Sequence, residues 1–223
     1  MPRRGGEGSS EWSLELVEIS EAEQPDGVHH LDLKTNQGVI SCRVHAAERG
    51  DAAVLWVFGA GGGWGGPAGG LYPRLARQLL HDGVTSLEVA YRLPGDLVAC
   101  VLDVLMGIGC LAAMGRKRVL LVGHSFGGAV VITAGAQAPN VAGVAALSTQ
   151  AAGAESVVDL KGKPVLFIHG AADEVLPDRC SRDLYARAGE PKKILLYPGC
   201  RHGLDECRDE IDCDLLAWIR EVL

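Results

Sequence analysis

The sequence predicts an α/β fold: a doubly wound, mostly parallel sheet that follows an antiparallel N-terminal hairpin. Residues 12–46 alternate apolar and polar side chains around an Asn36-Gln37-Gly38 turn, a pattern typical of an antiparallel hairpin. From residue 53 onwards, short and continuously apolar runs alternate with helical segments. Strands that are covered on both faces have this pattern, and strand-helix alternation predicts a parallel sheet with right-handed crossovers.

The strands and helices can be placed along the chain from these runs. Five apolar runs predict buried strands, at residues 53–58, 119–122, 141–147, 165–168 and 194–197, and the segment 84–91 is taken as a further strand. A helix is predicted over 72–80, before Gly83, and a last helix over 211–222, where apolar residues form one stripe. No internal repeat or linker divides the chain, so we expect a disordered tail at residues 1–11 and a single domain at 12–223.

Composition and charge exclude two classes of partner. The chain has 223 residues, 48% of them hydrophobic, and a formal net charge of −7, so it can bury a substantial core. No basic surplus is left for a phosphate backbone, and nucleic acid is therefore not expected as a partner. The apolar stretch 98–114 approaches the length of a membrane span, but its central Asp103 and two glycines favour a helix covered by a sheet. No membrane is therefore expected either.

The seven cysteines are odd in number and lack paired short spacings, and the first ten residues lack the apolar segment of a secretory signal. We therefore expect reduced thiols in a cytoplasmic protein. Cys200, His202, Cys207 and Cys213 form the one group resembling a set of metal ligands, but without a Cys-x-x-Cys knuckle. No metal is expected there.

A serine within a five-residue glycine motif is the strongest candidate for chemistry. The motif Gly123-His124-Ser125-Phe126-Gly127 lies between an apolar strand and a segment of small residues that suits a packed helix. A sharp strand-turn-helix connection presents the serine hydroxyl above the sheet, and the two glycines relieve crowding across the turn. With 30 glycines in the chain the motif alone is weak, so its placement carries the prediction that Ser125 is a nucleophile.

A serine hydroxyl becomes a good nucleophile when a base accepts its proton. Two histidines follow Ser125, His169 and His202, and where this motif is catalytic the chain order is serine, acid, histidine. His169 ends its own strand and leaves no room for an acid before it. His202 lies in the loop after the last strand, so it is the predicted base.

The acid is expected at the end of the preceding strand, where Asp173 lies in the predicted loop. Asp173 would orient the His202 ring. Two neighbouring carboxylates are alternatives with simpler explanations: Glu174 as a solvated loop charge, and Asp178 in the first turn of the helix that begins at Pro177.

Acyl transfer also needs backbone N–H donors for the tetrahedral oxyanion. Phe126, directly after the serine, is one predicted donor, and the second is expected in the glycine-rich loop after the first parallel strand. Two registers are open in that loop, with either Ala60 or Gly62 and Gly63 as the donor. Trp64 in the same loop is a candidate wall of the acyl pocket.

The same loop supports a second class of function. Gly61, Gly63 and Gly66 satisfy the Gly-x-Gly-x-x-Gly pattern of a dinucleotide-binding turn. However, no acidic residue ends the next strand, because Glu88 falls within it, and the pattern is degenerate in so glycine-rich a run. An oxidoreductase is therefore the minor alternative, and no cofactor is expected.

At these residues the chain resembles the α/β-hydrolase superfamily, over about Ala53 to Leu223. The segments 123–128, 164–177 and 199–203 are similar to that superfamily's nucleophile, acid and base segments. The chain most resembles the small uncapped members related to dienelactone hydrolase, which typically carry a cysteine nucleophile, and its Gly-Gly-Gly-Trp run resembles hormone-sensitive-lipase-like esterases. One departure is Phe58-Gly59, where such families usually have His-Gly.

The residues and the resemblance together predict a serine hydrolase that cleaves a carboxylic ester or thioester through an acyl-enzyme, with no metal or cofactor. Only residues 148–163 separate the strand at 141–147 from the strand before the acid, which is too short for a cap domain. A small or exposed ester is therefore the expected substrate. A non-catalytic ligand-binding protein of the same fold is the alternative.

Overall fold

The computed structural model describes residues 13–23 and 28–223; the predicted tail at 1–11 lies outside them. Within those residues the chain forms nine β-strands, β1 (Leu16–Glu23), β2 (His29–Thr35), β3 (Gly38–His45), β4 (Ala52–Val57), β5 (Val84–Ala90), β6 (Arg118–His124), β7 (Val141–Leu147), β8 (Val165–Gly170) and β9 (Lys192–Tyr197). The same residues form five α-helices, α1 (Pro67–His81), α2 (Leu97–Ala113), α3 (Phe126–Gln137), α4 (Arg179–Arg187) and α5 (Arg208–Val222).

All nine strands belong to one sheet, in the order β1-β2-β3-β5-β4-β6-β7-β8-β9. Along the part of the sheet ordered β5-β4-β6-β7-β8-β9, every pair of neighbouring strands is parallel. The pairs β1 with β2, β2 with β3 and β3 with β5 are antiparallel. The predicted mixed sheet is confirmed. The N-terminal region differs in one respect, because it contains three strands: the Asn36-Gln37 turn joins β2 and β3, and β1 adds an edge strand.

The parallel strands are covered on both faces, as their continuous hydrophobicity predicts. Helices α2, α3 and α4 pack on one face of the sheet, and helices α1 and α5 pack on the other. An apolar core lies between the sheet and each of these two helical layers. Every residue of β4 is buried, which is expected for a strand between two helical layers. The sheet therefore forms a rigid support for the loops at its carboxyl edge.

The apolar stretch at 98–114 lies in α2, which packs on the sheet through buried residues that include Val104 and Leu111. Its aspartate, Asp103, is fully buried and accepts hydrogen bonds from the Arg92 side chain at 2.5 Å and the Arg92 backbone N–H at 2.9 Å. The charge thus has a partner inside the protein. No helix of the described residues is long and apolar enough to cross a membrane.

The carboxyl ends of β6, β8 and β9 lie along one edge of the sheet, because these strands are parallel and β7 alone separates β6 from β8. The connection from β7 to β8 contains one short 3-10 helix, Glu155–Asp159, and no cap domain is inserted there. Residues that follow these three strands therefore meet at an edge that the described part of the chain leaves uncapped.

Candidate active site

Ser125 occupies the turn between β6, which ends at His124, and α3, which begins at Phe126. Its backbone angles are φ 58° and ψ −121°, a region that residues with a side chain rarely adopt. Two hydrogen bonds hold this strained turn: the Ser125 N–H donates to the Leu147 carbonyl at 2.8 Å, and the Ser125 carbonyl accepts from the Gly128 N–H at 3.0 Å. The hydroxyl is thus fixed at the carboxyl edge of the sheet.

Two glycines of the motif permit the close backbone approaches around this turn. A Cβ atom at Gly123 would overlap the carbonyl of Gly127, and a Cβ atom at Gly127 would overlap the carbonyl of Phe58 in the neighbouring loop. The structure therefore requires glycine at both positions, for the steric reason that the sequence motif implies.

Side chains from three strand ends form a hydrogen-bonded chain at this edge. The His202 Nε2 atom lies 3.1 Å from the Ser125 Oγ atom, and the His202 Nδ1 atom lies 2.8 Å from Asp173 Oδ2. A carboxylate accepts hydrogen bonds, so Nδ1 carries the ring proton and Nε2 is left to accept the serine proton. The structure brings the three predicted residues together in the predicted order.

The side chain of Asp173 is fully buried, and both of its oxygens have partners. Oδ1 accepts from the backbone N–H groups of Val175 at 2.9 Å and Leu176 at 2.8 Å, while Oδ2 accepts from His202. Burial by itself raises the pKa of this carboxyl, but the hydrogen bonds from His202 and from the two amides outweigh it, and the pKa lies below its usual value. Asp173 is therefore ionised at neutral pH.

The two alternative acids have other surroundings. The side chain of Glu174 is exposed to solvent, and Asp178 forms an ion pair at 2.9 Å with Arg182 on α4. The exposure of Glu174 matches the solvated loop charge that the sequence suggested. Helix α4 begins at Arg179, so Asp178 directly precedes the helix and does not lie in its first turn.

His169, at the end of β8, lies next to the site, although its place at the strand end excluded it as the predicted base. Its buried Nε2 atom lies 2.9 Å from the Leu176 carbonyl and 3.1 Å from Asp173 Oδ2, and its Nδ1 atom lies 2.7 Å from Ser181 Oγ. Both neighbours of Nε2 are acceptors, so Nε2 carries the proton and Nδ1 accepts from the serine hydroxyl. The signal in the sequence was its position four residues before Asp173 at a strand end.

The glycine-rich loop after β4 passes beside the serine: a Cβ atom at Gly59 would lie 3.5 Å from the Ser125 Cβ atom. The Gly62 N–H donates to the Gly59 carbonyl at 2.9 Å, so this amide is engaged in a turn; of the two amides in the Gly62 and Gly63 register, Gly62 is therefore not favoured as the donor. The Ala60 N–H makes no hydrogen bond with another described residue. The Phe126 N–H is the first of α3, whose leading amides have no partner within the helix.

Two contacts with neighbouring strands hold the far end of this loop. The buried Glu88 of β5 accepts a hydrogen bond at 2.8 Å from the Gly65 N–H, and the guanidinium of Arg43 on β3 lies 4.4 Å from the centre of the Trp64 ring. Burial raises the pKa of Glu88, and the Gly65 amide and the charges of Arg43 and Arg77 oppose that effect. Trp64 thus lies against β3. Glu88, whose position within the strand argued against a dinucleotide-binding turn, holds the loop through Gly65.

Comparison with known proteins identifies the family. The sequence model of the dienelactone hydrolase family matches residues 95–218, more than half of the chain. The chain belongs to the dienelactone hydrolase family. The resemblance found in the sequence is therefore confirmed.

Two curated proteins match this dienelactone hydrolase family member over short segments. The uncharacterized protein YfhR of Escherichia coli is 49% identical over 39 residues, which cover 18% of this chain and 14% of YfhR. The bifunctional esterase/perhydrolase DCH of Acinetobacter calcoaceticus is 41% identical over 58 residues, which cover 26% of this chain and 21% of DCH. The matches therefore span less than a quarter of either relative.

A solved structure shares the fold of this family member over nearly its whole length. The dienelactone hydrolase from Anabaena variabilis superimposes with a TM-score of 0.73 at 15% identity, over 92% of this chain and 99% of that chain. At this identity the likeness concerns the fold alone. It confirms the predicted α/β-hydrolase architecture.

The loop between β9 and α5, which carries His202, is closed by a disulfide between Cys200 and Cys207. The expectation of reduced thiols is therefore wrong for these two cysteines; the other five are free, namely Cys42, Cys100, Cys110, Cys180 and Cys213. The pair is seven residues apart in the sequence, which is no recognised short spacing, yet the loop brings the two Cα atoms to 5.8 Å. Among the described residues, no cluster of His, Cys, Asp or Glu side chains is arranged to hold a metal ion.

Proposed function

We propose that this member of the dienelactone hydrolase family is a serine hydrolase that cleaves a carboxylic ester or thioester through an acyl-enzyme. The observation that carries the proposal is the hydrogen-bonded chain from Ser125 through His202 to Asp173. Family membership and the esterase named among the curated relatives support an ester as the substrate. The absence of a cap between β7 and β8 supports a small or exposed one.

The first half of the reaction follows from this geometry. Ser125 Oγ attacks the acyl carbonyl while His202 Nε2 accepts the hydroxyl proton, and Asp173 stabilises the imidazolium that forms. The developing oxyanion accepts hydrogen bonds from the Phe126 N–H, at the start of α3, and from the Ala60 N–H. The imidazolium then gives its proton to the departing alcohol or thiol, and the acyl group stays on the serine.

Water completes the cycle by the same groups in reverse. His202 Nε2 takes a proton from the water as the oxygen attacks the acyl-serine carbonyl, and the same proton returns to Ser125 as the carboxylic acid leaves. Neither half-reaction calls for a metal or an organic cofactor.

Covalent labelling tests the proposal directly. A fluorophosphonate probe should label the wild-type protein at one serine and abolish hydrolysis of short-chain and medium-chain nitrophenyl esters. Ser125→Ala should lose both labelling and hydrolysis, whereas Ser41→Ala, in the N-terminal hairpin, should keep both because its hydroxyl donates to the exposed Asp32, away from the site. Persistent labelling of Ser125→Ala would assign the nucleophile elsewhere.

The alternatives give different results in the same assays. A protein that hydrolyses no ester or thioester, but whose melting temperature rises with a small molecule, would be a ligand-binding member of the fold. A rise produced by a nicotinamide dinucleotide would instead favour the oxidoreductase alternative.

A further inference from the structure

The loop that carries the proposed base is held by its own main-chain carbonyls. Four consecutive carbonyls accept hydrogen bonds: Cys200 from the Ala172 N–H at 2.9 Å, Arg201 from the Leu204 N–H at 3.0 Å, His202 from the His124 Nε2 atom at 2.9 Å, and Gly203 from the Ala68 N–H at 2.7 Å. Three of these donors are backbone amides, which every residue except proline supplies. The fourth, on the base itself, is a side chain.

His124 is enclosed where it makes this contact. Its side chain is 5% exposed, its ring is stacked on Phe58 with centroids 5.6 Å apart, and the ring of His202 lies 4.9 Å away. A carbonyl can only accept, so Nε2 carries the proton, and the buried Nδ1 atom, which has no hydrogen-bond partner among the described residues, is unprotonated. The geometry therefore defines one neutral tautomer.

The charge state of His124 follows from the same surroundings. Burial lowers its pKa to about 4, and although the hydrogen bond to the His202 carbonyl and the charge of Asp173 oppose this effect, the nearby His202 and His169 add to it. His124 is thus an uncharged donor at neutral pH, and a neutral ring 4.9 Å from His202 does not oppose the positive charge that His202 acquires when it takes the serine proton.

We propose that His124 is a positioning residue for the reaction: its Nε2–H fixes the main chain of His202 and thereby places the imidazole between Ser125 and Asp173. The inference rests on the proposed serine hydrolase function. Because His124 directly precedes Ser125, one dipeptide sets both the nucleophile and the base. Phe58, which replaces the histidine expected from the resemblance, has the complementary role of packing on the His124 ring.

Two substitutions separate the donor from the ring. His124→Phe keeps an aromatic ring against Phe58 and removes the donor, whereas His124→Gln removes the ring and keeps an N–H donor at about the reach of Nε2. A misplaced catalytic group lowers turnover by up to about 100-fold, so we expect kcat per titrated active site to fall about tenfold or more in His124→Phe with little change in KM. His124→Gln should stay within about threefold of wild type, since it keeps the donor.

A spectroscopic measurement supplies a readout that does not depend on turnover. The His202 Nδ1 proton, held by Asp173, should give an NMR signal protected from solvent exchange in wild type and His124→Gln, and exchange faster in His124→Phe. If His124→Phe does not yield folded protein, His124→Leu removes the donor in the same way.

The outcomes distinguish the inference from the function on which it rests. Two outcomes would show that His124 is merely structural and would overturn the inference. One is an equal loss of kcat in the Phe and Gln variants. The other is a normal kcat per titrated site in the Phe variant, despite a lower melting temperature. Failure of the probe to label wild-type Ser125 would overturn the proposed function. In that case the His202 signal still decides, because an unchanged signal in the Phe variant overturns the positioning role.

Discussion

Replacing Asp173 by asparagine should reverse the proton arrangement of the proposed base. Two backbone N–H groups donate to Oδ1 of Asp173, so an asparagine at this position must place its carbonyl oxygen there. Its NH₂ group then faces the His202 Nδ1 atom, which the wild-type carboxylate contacts at 2.8 Å. Facing a donor, His202 would carry its proton on Nε2 and could no longer accept one from Ser125.

The size of the effect follows from this change of tautomer. The same substitution in a serine protease lowers kcat by about 10⁴ while the geometry is retained. We expect Asp173→Asn to lower kcat by about 10³ to 10⁴ with KM little changed. This corresponds to about 4 to 5 kcal/mol of lost transition-state stabilisation.

Steady-state hydrolysis of a short-chain nitrophenyl ester, with the rate of fluorophosphonate labelling, measures the loss. Glu174→Gln is the matched control, because it makes the same chemical change at the adjacent exposed carboxyl and should leave both rates unchanged. An Asp173→Asn variant within tenfold of wild type, or a Glu174→Gln variant as impaired as Asp173→Asn, would refute the assignment of the acid.

Three further predictions concern stability. Burial raises the pKa of Glu88 in the folded protein, so the stability that its protonated carboxyl contributes is present in acid and is lost as the pH rises through that pKa. The melting temperature of Glu88→Gln should therefore fall less than that of wild type between about pH 4 and about pH 7. Gly127→Ala should abolish soluble expression because the added Cβ overlaps a carbonyl. The control Gly109→Ala, with no atom within 4 Å of the added Cβ, should instead stabilise α2 by about 0.5 to 1 kcal/mol in urea unfolding. Cys207→Ser should lower the free energy of unfolding by about 2 kcal/mol because it removes the disulfide that closes the short loop. Cys213→Ser, which replaces an exposed free thiol, should change that free energy little. Equal effects of the two variants would argue against the disulfide.

The parallel part of the sheet was predictable because a strand between two helical layers must be apolar throughout. The strand predicted at residues 141–147 has the same bounds in the structure. The N-terminal region was less predictable, because alternation shows which residues share a face but not where one strand ends and the next begins. The Pro25-Asp26-Gly27 segment has the composition of a turn, and it was the available signal that β1 and β2 are separate strands.

The three residues of the proposed chain could be selected from the sequence because parallel strands end at one edge, so position after a strand implies proximity. Contacts between residues that share no motif could not be found in this way. The disulfide of the base loop, the hydrogen bond from Gly65 to Glu88 and the approach of His169 to Asp173 all depend on how loops fold back onto strand ends. Such contacts leave no periodic pattern in the chain.

The family match begins at residue 95, and this boundary divides the site in two. The proposed nucleophile, acid and base all lie within the matched segment, whereas the glycine-rich loop opposite the serine lies before it, together with Arg43 and Glu88, which contact that loop. The groups proposed to break the bond and the loop beside which the substrate carbonyl would lie thus occupy separate stretches of sequence. A change of substrate preference made in the first 94 residues would leave untouched every residue that assigns the chain to its family.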